Sequence, residues 1–76
     1  MTEIKKTTVM LDCILRDEEN ADMHHITAKE ISTGQMLRLF TDQKPIMTTC
    51  VYGLGEKAEI EYDAISGEII AVNVAN

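Results

Sequence analysis

The chain has 76 residues, seven basic against thirteen acidic ones, and a formal net charge of −6. A chain this short buries only about 60 % of its unfolded surface, so it predicts one domain over 1–76 with little room for a catalytic cavity. The acidic balance opposes general binding to nucleic acid and to anionic membranes. No apolar run approaches the roughly 20 residues of a membrane span, and the first residues do not form a signal peptide. We therefore expect a cytoplasmic location.

The first predicted element is a strand at residues 8–16, after a polar lead-in at 1–7 that we expect to be frayed. Apolar side chains recur there with the period of two that is typical of a strand. This alternation assigns four side chains to the core face, namely Val9, Leu11, Cys13 and Leu15. An acidic loop follows at residues 17–22.

The next two elements form a hairpin, with strands at 24–31 and 36–41 joined across 32–35. Two registers are open. If Glu30 faces Gln35 across a four-residue loop, one face collects the core set Ile26, Ala28, Leu37 and Leu39. If the turn has three residues, polar and apolar side chains mix on both faces. A slip of one residue moves a whole set across the sheet, so we prefer the register with a coherent core.

The segment at 46–52 follows a breaker at Pro45 and is rich in β-branched residues. We interpret it as a strand or an extended stretch, with a short helix as the alternative. The choice affects the fold: five strands with a helix between the third and fourth give an OB-like arrangement, whereas six short strands suggest an SH3-like barrel.

The last hairpin has strands at 57–63 and 68–74. A three-residue turn at 65–67, with Gly67 in the left-handed conformation, predicts three cross-strand pairs on one face: Tyr62 with Ile70, Ile60 with Val72, and Ala58 with Val74. The fold class is therefore all-β, a small barrel of five or six short antiparallel strands, OB-like or SH3-like.

The sequence contains no motif for catalysis or for metal binding. The two cysteines and two histidines, Cys13, Cys50, His24 and His25, lack ligand spacing, and adjacent histidines on a strand point to opposite faces. The two serines lie in turns beside glycine and have no neighbouring histidine. We expect a protein that is not an enzyme and needs no metal or cofactor.

Three surface hypotheses remain. The preferred one is a non-catalytic interaction module that binds itself or another protein, through apolar residues outside the core set: Met10, Ile14, Met23, Met36, Phe40 and Ile69. The alternative is OB-type binding of single-stranded nucleic acid by His25, Lys29, Arg38 and Phe40, which share a face in the preferred register. The third is a small acidic inhibitor that imitates nucleic acid with the stripe Glu59, Glu61 and Asp63.

Overall fold

The computed structural model describes residues 2–74, which form a five-stranded antiparallel sheet with one short helix. The strands are β1 (Ile4–Arg16), β2 (His24–Glu30), β3 (Met36–Thr41), β4 (Lys57–Asp63) and β5 (Ile69–Val74), and helix α1 (Lys44–Tyr52) lies between β3 and β4. The order across the sheet is β3-β2-β1-β4-β5. The long β1 is therefore central, with its first half paired to β4 and its second half to β2. The all-β prediction is confirmed.

The two outer strands of the sheet approach each other at one point. The Phe40 N–H donates to the Gly67 carbonyl oxygen at 2.9 Å, and an isolated parallel bridge joins Phe40 to Glu68. Within residues 2–74 this is the one pairing between the β3 side and the β5 side, so the sheet remains open. The strand pairing therefore does not close the predicted barrel.

The start of β1 is an ordered strand and not a frayed lead-in. Ile4 pairs with Asp63 and Thr7 with Ile60, and the Ala64 N–H donates to the Glu3 carbonyl oxygen at 2.8 Å. The expectation of fraying is therefore wrong for residues 4–7, whereas Met1 lies outside the described residues. The alternation pattern does not reveal this part of β1, because its side chains are mostly polar. Backbone pairing with β4, and not burial of its own apolar side chains, stabilises it.

The segment at 46–52 belongs to helix α1, so its interpretation as a strand is wrong, and so is the six-strand alternative. Pro45 stands in the first turn, where its fixed φ favours a helix and its missing N–H costs nothing. One turn apart, Ile46 and Cys50 pack toward the core, while Tyr52 is 84 % exposed. Burial of that helix face outweighs the β propensity of the residues at 46–52. In a segment this short, periodicity alone does not distinguish a helix from a strand.

The two hairpins use the same four-residue turn. The Gly34 N–H donates to Glu30 O at 2.8 Å and the Gly67 N–H to Asp63 O at 2.7 Å, and both glycines have the positive φ that such a turn requires. In the first hairpin Ile26 pairs with Leu39 and Ala28 with Leu37, which confirms the preferred register. In the second hairpin the left-handed Gly67 is confirmed, but the three-residue turn is wrong.

A β-bulge divides the β4–β5 ladder. Ala58 pairs with Val74 and Ile60 with Val72, as predicted. The register then shifts between Glu61 and Tyr62, so that Tyr62 pairs with Ile69 and the predicted pair with Ile70 is wrong. Consequently Ile69 is buried, 1 % exposed, and Ile70 is 44 % exposed.

A second bulge lies in β1, where the pairing with β2 shifts between Leu11 and Cys13. Because Asp12 is an extra residue, the residues of β1 that follow it point to the opposite faces from those that unbroken alternation predicts. Ile14 therefore packs against the core, while Leu15 is 64 % exposed. Cys13 lies opposite Thr27 on the other face, so the predicted core positions of Cys13 and Leu15 are both wrong.

One core lies between the concave side of the sheet and α1. Its buried apolar members are Val9, Leu11, Ile26, Ala28, Leu39, Cys50, Ala58, Ile60, Tyr62 and Ile69. Burial raises the pKa of the Cys50 thiol to about 11, so this thiol is a packing group and not a reactive one.

The β4–β5 bulge predicts that substitution of two adjacent isoleucines lowers the free energy of unfolding by unequal amounts. Ile69→Ala removes a buried side chain and should lower the free energy of unfolding by about 2–5 kcal/mol. Ile70→Ala, at an exposed position, should lower it by less than about 1 kcal/mol. Chemical denaturation of both variants measures the difference, and an equal or greater cost at Ile70 would contradict the observed register.

Candidate functional site

The candidate site is the side of strands β1, β2 and β3 that faces away from the core, called here the outer face. Its side chains stand in three cross-strand rows, because the pairing of β1 with β2 and of β2 with β3 is antiparallel. The rows are Leu15–His25–Phe40, Cys13–Thr27–Arg38 and Met10–Lys29–Met36.

The apolar content of the outer face is high for a solvent-facing sheet. Leu15, Met36 and Met10 are 64 %, 46 % and 38 % exposed, and Cys13 and Phe40 are half-buried. Leu15 was missed by the alternation pattern, because the bulge at Asp12 moves it to this face. The result is two groups of apolar side chains, one on β1 and one on β3, on either side of the polar side chains of β2.

The six residues predicted for a protein interface divide into three groups. Met10, Met36 and Phe40 lie together on the outer face. Met23 is half-buried in the loop before β2. Ile14 and Ile69 pack in or against the core, so their assignment to an exposed surface is wrong, and a bulge beside each of them is the cause.

The cations of the outer face are free, whereas others of the chain are paired. Among the described residues, Lys29 and Arg38 form no ion pair, and neither does Lys57. Lys57 lies opposite Met10 in the β1–β4 ladder, at the β4 edge of this face. Lys6, in contrast, lies 3.3 Å from Glu59. The outer face therefore offers positive charge on a protein whose net charge is negative.

The opposite end of the outer face is acidic. The Asp17 carboxylate accepts the backbone N–H groups of Glu19 and Asn20 at 3.0 and 2.9 Å, and its Oδ1 lies 2.8 Å from His25 Nε2. The His25 hydrogen bond, with help from these backbone donors, holds the pKa of Asp17 below its ordinary value. Glu18 and Glu19 are exposed beside it, and with the exposed Arg16 these residues border a shallow depression next to Leu15, so three carboxylates outnumber one guanidinium there.

The four residues predicted to bind nucleic acid do share the outer face: His25, Lys29, Arg38 and Phe40. His25 pairs with Phe40 across the strands, but its ring is already held by Asp17. Phe40 is the one aromatic side chain in the three rows, since Tyr62 is in the core and Tyr52 ends α1. Stacking of successive bases would therefore have a single platform.

The predicted acidic stripe is not a run of free carboxylates. Glu59 is paired with Lys6, and Glu61 stands directly opposite Lys6 on β1. Asp63 is buried and accepts the N–H groups of Ile65 at 2.9 Å and Glu3 at 3.2 Å. These backbone donors hold the pKa of Asp63 below its ordinary value. Its assignment to an exposed stripe is therefore wrong.

The two histidines point to opposite sides, as the strand geometry predicts. His25 lies on the outer face, while His24 is half-buried and its Nδ1 has no hydrogen-bond partner among the described residues. Within residues 2–74, no three side chains of His, Cys, Asp or Glu form a group that could hold a metal ion. No helix in this part of the chain is long and apolar enough to cross a membrane.

Comparison with protein-family models, with curated proteins and with solved structures found no match for this chain. The chemistry of the outer face is therefore described by its own residues. It combines exposed methionine and leucine with unpaired lysines at one end, an unpaired arginine in the middle row and carboxylates at the other end.

The hydrogen bonds of Asp63 predict a pH effect on stability. A carboxyl group whose pKa is lower in the folded than in the unfolded chain stabilises the fold above the unfolded pKa of about 3.9 and loses this effect as the pH falls through the folded value. Asp63→Asn should lower the Tm at pH 7, and the difference from wild type should shrink at about pH 2.

Thermal unfolding followed by circular dichroism at both pH values measures this effect. Asp42→Asn is the matched control, because it makes the same substitution at an exposed carboxylate between β3 and α1, outside the outer face. A Tm difference for Asp63→Asn that stays constant from pH 7 to pH 2 would contradict the role of its charge.

Proposed function

We propose that this protein is a non-catalytic interaction module that self-associates through the outer face. The observation that carries the proposal is the set of exposed apolar side chains on β1 and β3, namely Met10, Leu15 and Met36, together with the half-buried Cys13 and Phe40. Grouped apolar side chains on a protein surface often mark protein interfaces.

Two further features of the chain support this function. Methionine is unbranched and adaptable, so Met10 and Met36 suit a contact surface that must fit a partner. A domain of 76 residues also has a small core, and burial of more apolar surface in an oligomer adds stability that the monomer lacks.

Light scattering at micromolar concentration tests the proposal. We expect a mass above the 8.5 kDa of one chain. Leu15→Ser and Met36→Ser should each lower the apparent mass toward the monomer without unfolding the domain, because both side chains are exposed.

Ile70→Ser is the control for these variants, since it removes a comparably exposed apolar side chain from β5, away from the outer face. A wild-type protein that stays monomeric at high concentration would contradict the proposed function. Equal effects of Ile70→Ser and Met36→Ser would contradict the assignment to the outer face.

A second candidate function is OB-type binding of single-stranded nucleic acid. It is supported by the position of α1 between β3 and β4, the strand order, and the contact of β3 with the β4–β5 turn at Phe40. In an OB-fold, a partly open five-stranded barrel, the strands 2–3 face binds oligonucleotides, and here that face holds Lys29 and Arg38. We rank it second because the face has one aromatic side chain and an acidic end.

Titration with a single-stranded oligonucleotide at several salt concentrations tests the second candidate. We expect no binding at physiological salt, because the net charge of −6 opposes it. If binding occurs at low salt, Phe40→Ala should weaken it by roughly 1–3 kcal/mol and Arg38→Ala should reduce the salt slope by about one. If the wild-type protein binds the oligonucleotide tightly and Phe40→Ala weakens this binding, nucleic-acid binding would replace self-association as the preferred function.

A further inference from the structure

The outer face carries opposite charges at its two ends. At one end the acidic loop, residues 17–22, contributes Asp17, Glu18 and Glu19 beside the row of Leu15 and His25, and these three carboxylates exceed the one positive charge of Arg16 there. At the other end Lys29 and Lys57 stand on either side of Met10. Along β2 the row of His25 and the row of Lys29 are separated by about 13 Å, at 3.3 Å per residue.

The middle row, Cys13–Thr27–Arg38, is equally far from both ends, because Thr27 is two residues from His25 and two from Lys29. A two-fold axis that runs along this row, parallel to the sheet and perpendicular to its strands, therefore turns a second copy face to face with the first and brings the acidic end of each opposite the basic end of the other. Closed homodimers use such self-complementary contacts, in which the same patch of both copies meets.

We propose that the occupant of the outer face is a second copy of this chain. The copies pack face to face in antiparallel orientation about the middle row, so that the acidic loop of each meets Lys29 and Lys57 of the other. The inference rests on the proposed function and names the partner and its orientation. Apolar side chains of both copies then lie between the two charged contacts.

Charge complementarity selects this occupant and this orientation. A parallel arrangement would place one acidic loop on the other and one lysine pair on the other, and these like charges would repel. An oligonucleotide would approach Lys29 favourably but would meet Asp17, Glu18 and Glu19 at the far end of the same face. A second copy supplies the matching charge at both ends.

Charge reversal at both ends tests the proposal. Lys29→Glu and Glu19→Lys should each weaken homodimerisation by about tenfold or more, because each creates two like-charge contacts per dimer. The two variants mixed together should form a heterodimer more readily than either forms a homodimer, since positions 29 and 19 then carry opposite charges at both contacts. The double variant Lys29→Glu/Glu19→Lys should dimerise as a homodimer. Lys5→Glu, with the same charge change at an exposed position outside the outer face, should have no effect.

Crosslinking locates the axis independently. Cys13 is half-buried in the middle row, whereas Cys50 is buried in the core. A short bismaleimide should therefore link wild-type chains into dimers through Cys13, and Cys13→Ser should abolish this product. The Lys29→Glu variant should be linked much less efficiently than wild type.

The outcomes separate the inference from the proposed function. A wild-type protein that is monomeric by light scattering overturns both. A wild-type oligomer whose affinity is unchanged by Lys29→Glu and Glu19→Lys, and that bismaleimide does not link at Cys13, overturns the antiparallel dimer and leaves the proposed function in place.

Discussion

The bulge at Asp12 is the constraint on which the rest of this structure depends. It lies in the central strand, where the pairing partner changes from β4 to β2. A bulge increases the local twist and bends its strand. The part of β1 that pairs with β2 can therefore take a different direction from the part that pairs with β4. That bending allows the outer strands to approach at Phe40 and Gly67, and it decides which side chains of β1 enter the core.

The turn between β4 and β5 joins three parts of the chain that the bend brings together. The Asp63 carboxylate accepts N–H groups from Glu3, before β1, and from Ile65, inside the turn. Two residues further, the Gly67 carbonyl oxygen accepts the Phe40 N–H of β3. A β-carbon at Gly67 would lie only 3.1 Å from the Arg38 carbonyl oxygen, so glycine permits the close approach as well as the positive φ. The acid that appeared to belong to a surface stripe is therefore part of the architecture.

The sequence predicted the structure well where its period of two is unbroken. In the β2–β3 hairpin the register, the core set and the shared face of Lys29, Arg38 and Phe40 all followed from alternation. Prediction failed at Ile14 and Leu15, and again at Ile69 and Ile70, because two adjacent apolar residues fit either face and cannot reveal an inserted residue. Helix α1 was only the alternative interpretation for a related reason: in a run this short, the buried side of a helix and a strand look alike.

The dimer that we propose shows how a weakly charged contact can still be specific. Exposed ion pairs contribute only about 0–1 kcal/mol each, so the lysines and carboxylates are too weak to hold two chains together. In such a dimer, burial of Met10, Leu15 and Met36 would supply most of the affinity, at about 25 cal/mol per Å² of apolar surface. Apolar contact, however, has no preferred direction. Because the charges differ between the two ends, they favour one orientation over its reverse, and a few unpaired cations on an acidic protein are sufficient for that choice.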